Sequence, residues 1–173
     1  MLKNKNLIKV VTVLAVMIMS TMILAGCELK KEKGNNEQTV TSGSYEEPVK
    51  NFVEGLNEAN SEKFLKAFPS FIADYVKDIF TDDYLKMYFG DAKETYGDNT
   101  TMTYSIKDKT ELSEEDLRAA EQNVKTSFDK DITVTKGYKL NVELRLKGDN
   151  KEDTEKEIIN VFEVDGNWYL LNF

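Results

Sequence analysis

Chemistry in this chain falls to a short set of side chains: one cysteine, eight tyrosines and 31 acids, with no histidine at all. Lacking imidazole, the chain has neither the usual general base near neutral pH nor the hydrolase triads built on it. Cys27 has no base to activate its thiol for catalysis, and a lone cysteine cannot form a disulfide within the chain. The carboxylates gather at Asp82 and Asp83, at Glu114 to Asp116 and at Asp149 to Glu157. The last run has calcium-loop density but puts Lys151 and Thr154 where such a loop needs a ligand and its glycine. All three read as solvated surface. No metal ligand set and no cofactor motif emerges.

Tyrosine and amide groups make the second set. Tyr75, Tyr88 and Tyr104 fall on apolar faces of their segments, either as core residues with the hydroxyl at a rim or as hydroxyls meeting in a cavity. Alternation puts Asn160 between Ile158 and Phe162 on one strand face, where a buried amide needs partners. It either lines a polar pocket or marks an edge or bulge. Tyr75, Tyr88, Tyr104 and Asn160 are the candidate pocket.

Cys27 is explained by what precedes it. Lys3, Lys5 and Lys9 lead into an apolar run from Val10 to Leu24, broken by Thr12, Ser20 and Thr21. Positive charge followed by a short apolar run is the order of a secretory signal. A membrane-spanning helix needs about 20 apolar residues, and Val10 to Ala25 offers sixteen. The closing Leu24, Ala25, Gly26 and Cys27 resemble the lipobox of bacterial lipoproteins. That resemblance implies cleavage before Cys27 and a diacylglycerol on its sulfur, two acyl chains being enough for stable anchoring. The expected place is the extracytoplasmic face of a cell membrane, and the lysine-rich acidic composition fits a Gram-positive surface.

The chain of 173 residues has 23 basic and 31 acidic side chains. Removing residues 1–26 takes away Lys3, Lys5 and Lys9, leaving 147 residues with 20 basic and 31 acidic, a net charge of −11. Such a surface repels nucleic-acid phosphate and anionic headgroups, so no nucleic-acid partner is expected and membrane contact is assigned to the lipid on Cys27. From Glu28 to Ser44 only Leu29 and Val40 are large and apolar, too few to fold. This stretch reads as a flexible tether of roughly 20–25 Å, giving a signal peptide at 1–26, lipidated cysteine and tether at 27–44 and a domain at 45–173.

The elements that must position the tyrosines follow from periodicity. Ser44 and Glu47 have capping-box spacing, with Pro48 arguing for a start two or three residues later. Val49, Phe52, Val53 and Leu56 then share a helical face. Asn60 or Ser61 caps a second helix, and Phe71 to Phe80 forms a wide apolar stripe. Thr81 with Asp82 and Asp83 opens another helix that Gly90 and Gly97 loosen. Met102, Tyr104 and Ile106 alternate as a strand. Ser113 and Asp116 cap a helix carrying Leu117, Ala120, Val124 and Phe128. Tyr138 to Leu146 alternates as the clearest strand. A polar loop leads to a strand around Ile158 to Val164, then an Asp165–Gly166 turn and a closing strand from Trp168 to Phe173.

Helices followed by successive strands predict an α+β fold with an antiparallel sheet of about four strands. This order, with the ending VFEVDGNWYLLNF, resembles the NTF2-like superfamily over Ser44 to Phe173. The resemblance implies a cone in which a curved sheet wraps N-terminal helices. A cystatin-like sheet around one helix is the alternative. Both faces of the last hairpin are apolar, so the outer face is covered either by the helix from Ser113 or by a partner. Family members pair through that face, which makes Ile159, Val161, Tyr169 and Leu171 a candidate interface for a homodimer or an extracytoplasmic protein. Three functions are carried forward. The first is a non-catalytic anchored domain binding a small apolar ligand or a protein. The second, implied by ketosteroid isomerase in the same superfamily, is an acid–base isomerase or dehydratase using Tyr and Asp in the cone. The third is an interaction module acting through the outer sheet.

Overall fold

A computed structural model describes residues 43–171. The signal stretch, Leu24, Ala25, Gly26, Cys27, the tether up to residue 42 and Phe173 lie outside the described residues. Four helices come first: α1 (Glu47–Glu58), α2 (Ser61–Leu65), α3 (Ser70–Val76) and α4 (Asp82–Tyr96). Strand β1 (Thr101–Glu111), helix α5 (Glu114–Phe128) and strands β2 (Val134–Lys147), β3 (Glu152–Val164) and β4 (Asn167–Tyr169) follow. The strands form one curved, open antiparallel sheet in the order β1-β2-β3-β4. The α+β class with helices ahead of a four-stranded sheet is as expected.

Local chemistry sets the helix starts. The Asn60 side chain accepts the Lys63 N–H at 2.9 Å, and the Thr81 hydroxyl accepts the Tyr84 N–H at 3.2 Å. Ser113 and Asp116 form a reciprocal capping box, which satisfies two of the amides a helix start leaves without partners. The first helix starts where Pro48 argues, with Glu46, two residues after Ser44, at its N-cap position rather than Ser44. Ser44 stays outside it, its hydroxyl accepting the Glu46 N–H, while the Glu47 carboxylate turns back to the Gly43 N–H at 2.6 Å. Pro48 sits in the first turn, where its missing N–H costs nothing.

The sheet has two covered faces. Met102, Tyr104 and Ile106 on β1 stand opposite Leu146, Leu144 and Val142 on β2, and Leu140 and Tyr138 stand opposite Ile159 and Val161 on β3. Cross-strand partners share a face, and this concave face takes the helices of the first half. Val49, Val53 and Leu56 of α1 and Leu85, Phe89 and Tyr96 of α4 are buried in the same core as Leu140, Val142 and Val161. The other face carries Val134, Gly137, Phe162 and Val164 and is covered by α5. A Cβ on Gly137 would stand 2.8 Å from both Leu112 and Leu117 and 3.2 Å from Phe162, so the absent side chain is what lets the helix side approach the strand. The cover of the second face is therefore intramolecular at this end of the sheet.

Three elements depart from the sequence reading. β3 is longer than expected, because the ladder with β2 continues to Lys147 opposite Glu152 and takes most of the presumed polar loop with it. β4 is shorter. It pairs with β3 only from Phe162 to Val164, after which the Leu170 N–H donates to the Ala67 carbonyl at 2.8 Å and the chain leaves the sheet. The stripe from Phe71 to Phe80 is not one helix: α3 stops at Val76, and the turn after it aims Phe80 at Phe64, ring centroids 5.0 Å apart. Ile79 is left 55% exposed. Among the described residues no helix is long and apolar enough to cross a membrane.

Candidate functional site

Tyr75, Tyr88, Tyr104 and Asn160 do not converge. Tyr75 is 72% exposed, its ring meeting Phe128 edge-on at 5.6 Å. Tyr104 is half-buried on the concave face of β1. Burial first, then the negative charges of Glu46 and Glu54, push its hydroxyl up to about 12. Asn160 stands opposite Lys139, on the face that α5 covers, so the sheet separates it from Tyr104. Its Oδ1 is buried without a hydrogen-bond partner among the described residues.

Tyr88 is the most distinctive of the four. It projects from α4, and its hydroxyl is buried with no partner among the described residues. Burial, helped by Tyr84 and Asp91, holds that hydroxyl well above the ordinary tyrosine range, since an ionised oxygen there would be desolvated and near a carboxylate. At neutral pH it is a protonated donor waiting for an acceptor. A buried polar group without a partner is costly, a cost that Tyr88 shares with the Asn160 Oδ1.

The candidate interface also divides. Ile159 and Val161 belong to the concave face, Val161 fully buried, whereas Tyr169 lies opposite Phe162 on the α5 face. Leu171 is 6% exposed. The two-residue Asp165–Gly166 turn sets Trp168 opposite Glu163 and Tyr169 opposite Phe162, so the hairpin register itself puts Tyr169 on the face away from Ile159 and Val161.

The acidic runs do structural work. Asp82 accepts the Ser61 N–H at 2.7 Å and so ties α4 to the start of α2; those bonds hold its carboxyl below the usual range. Asp149 accepts from the Asn99 backbone and side chain at 3.0–3.2 Å. Asp153 pairs with Lys151 and accepts the Tyr96 hydroxyl at 2.7 Å, which together lower its pKa. These bonds clasp the α4–β1 turn to the β2–β3 hairpin. Among the described residues no group of three or more acids or thiols is placed to hold a metal ion.

One cluster was not foreseen. Tyr138 and Trp168 stack at 5.2 Å with 10° between planes, and Tyr45 meets both edge-on at 5.2 and 6.3 Å. The Lys109 ammonium lies 4.4 Å from the Tyr45 centroid and 5.0 Å from Tyr138, and Lys136 lies 5.3 Å from Tyr138. Burial and the adjoining Glu46 push the Tyr45 hydroxyl up to about 12. Cation–π and ring contacts fasten the chain just before α1 to the sheet. No local spacing links positions 45, 138 and 168; the one available signal is a tyrosine beside the expected helix start.

No family model matches the chain, and no curated protein or solved structure matches it.

Proposed function

We propose that this chain is a lipid-anchored extracytoplasmic lipoprotein whose NTF2-like domain binds a small apolar ligand or a protein partner without catalysis. The anchor reading rests on the lysine-led apolar run and on Leu24, Ala25, Gly26 and Cys27. The observation that carries the ligand reading is the Tyr88 hydroxyl, buried, protonated and without a hydrogen-bond partner among the described residues. A mainly apolar molecule with one acceptor atom would satisfy it. Among the described carboxylates the buried one is Glu46, beside the Tyr45 hydroxyl rather than Tyr88, an arrangement that favours holding a ligand over acid–base turnover.

Two measurements on the full chain test the two halves separately. In washed membranes, Cys27→Ala should move the protein into the soluble fraction, and the unaltered chain should gain the mass of a diacylglycerol; a membrane-bound, unmodified Ala variant overturns the anchor. Native mass spectrometry after mild detergent extraction should reveal a co-purifying small molecule whose occupancy falls at least fivefold in Tyr88→Phe. Equal occupancy in the two proteins overturns the role of Tyr88.

A further inference from the structure

The two edges of the sheet are treated differently. At the β1 edge, the Asn57 side chain bonds both main-chain groups of Met102, donating to its carbonyl at 2.7 Å and accepting its N–H at 2.8 Å. A bulge between Ile106 and Asp108 then breaks the register. Both devices block strand addition. The β3 edge has neither. β4 covers only Phe162 to Val164, and no helix runs alongside β3 among the described residues. The ladder with β2 is unbroken from Lys136 to Lys147, so this edge is regular. Ile158, on its α5-side face, is 48% exposed.

We infer that the β3 edge from Lys156 to Asn160 is a strand-addition site for an extended, cationic segment of another protein. Main-chain bonding to an open edge supplies affinity, and side chains at alternate positions supply selectivity. Charge decides the occupant. On the concave face Asp153, Glu155, Glu157 and Ile159 alternate with Thr154, Lys156, Ile158 and Asn160 on the other. A second copy pairing about a twofold axis keeps each residue opposite one of the same face. The longest such register that avoids β4 sets Glu157 against Glu155 of the second copy, twice, and Lys156 against its own equivalent. The next register sets Glu155 against itself and Asp153 against Glu157. Like charges directly opposite are destabilising, so self-pairing is disfavoured. A segment with lysine or arginine facing Glu157, and apolar residues facing Ile158, meets both positions with a suitable neighbour. This inference is independent of Cys27 and of Tyr88.

The test uses the full chain and three ten-residue peptides: alternating lysine and valine, alternating glutamate and valine, and the lysine–valine peptide N-methylated at the amides that would face the edge. The lysine–valine peptide should bind at least tenfold more tightly than either of the others at physiological salt. It should also slow amide exchange across Lys156 to Asn160. Glu157→Lys should reverse the preference between the first two peptides; if that variant does not fold, the N-methyl comparison on the unaltered chain still decides. Undiminished binding of the N-methylated peptide marks mere charge attraction and overturns the inference. Absence of binding, unchanged exchange at Lys156 to Asn160, or self-association that protects those amides overturns it as well.

Discussion

The β1 and β3 edges have similar strand lengths and the same neighbour, β2, yet one is closed by a helix side chain and the other, among the described residues, is covered only at its end by β4. At β1, α1 passes close enough for Asn57 to act as a single rung of a missing strand. At β3, the strand that would have closed the edge turns away at Leu170 to bond Ala67. A main-chain edge is protected by whichever element happens to pass it, so protection follows topology more than the composition of the strand itself. The acids of β3 make the same point. They deter self-pairing, as charged edge residues do in soluble sheets, while favouring a cationic partner over a second copy.

The largest expected effect comes from the clasp at the closed end. Gly148 begins the β2–β3 turn, its N–H donating to the Lys151 carbonyl, while the Asn150 N–H donates to the Tyr96 carbonyl at 2.8 Å. A Cβ at Gly148 would fall onto that Tyr96 carbonyl and lie 2.7 Å from the Thr100 hydroxyl. Gly148→Ala should therefore cost about 3 kcal/mol, since backbone cannot yield as a side chain does. A loss below about 0.5 kcal/mol in urea unfolding would show that the clasp does not hold the start of β1. Such a small change is the ordinary range for a surface substitution.

Asn57→Ala should come next, costing about 2 kcal/mol, because it removes two hydrogen bonds and leaves the Met102 main-chain groups to find water. Met102 is 2% exposed. Amide exchange at Met102 should quicken while the amides of Lys156 to Asn160 stay as they were. Unchanged exchange at Met102 would mean that the β1 edge is closed by something other than Asn57, and the contrast between the edges would lose its cause.

Much of this arrangement is legible in sequence where a single local interaction decides it. Asn60, Thr81 and Ser113 announce their helices because a cap needs only three residues. The alternation of β2 is plain because both its neighbours are strands and one of its faces is core. The Asp165–Gly166 turn follows from two positive φ angles, 52° and 76°, that few residue pairs adopt. What failed to show depends on distant partners. Glu152 to Glu157 looks like a loop, since nothing in EDTEKE says that Arg145 will bond Glu152 at 2.8 Å across the ladder. Ile79 looks buried because the apolar stripe does not record where α3 must stop for Phe80 to reach Phe64. The meeting of Tyr45, Tyr138 and Trp168 needs the whole sheet to be in place first. The candidate pocket was legible in the sequence only as a set of apolar-face positions, Tyr88 among them. It was not legible as a constellation, because the pleat that puts Tyr104 on one face puts Asn160 on the other.

The smallest effect is the most discriminating for the open edge. Glu157 is half-buried on the concave side, and burial first, then Glu155, holds its carboxyl above the ordinary range. A carboxyl whose pKa is raised by folding binds its proton more tightly in the folded state. Its contribution favours the fold below the unfolded pKa and is lost as pH rises through the folded value. At neutral pH the ionised group is therefore a small liability, reduced further by solvent screening at a partly exposed site. Glu157→Gln should raise stability by about 0.3 kcal/mol at pH 7 and make no difference near pH 4, as read from paired urea unfolding curves. A loss of stability at pH 7 would mean that the Glu157 carboxylate already has a cation to pair with. The edge would then be occupied in the folded chain itself, and a cationic partner strand would have to displace that cation before it could dock.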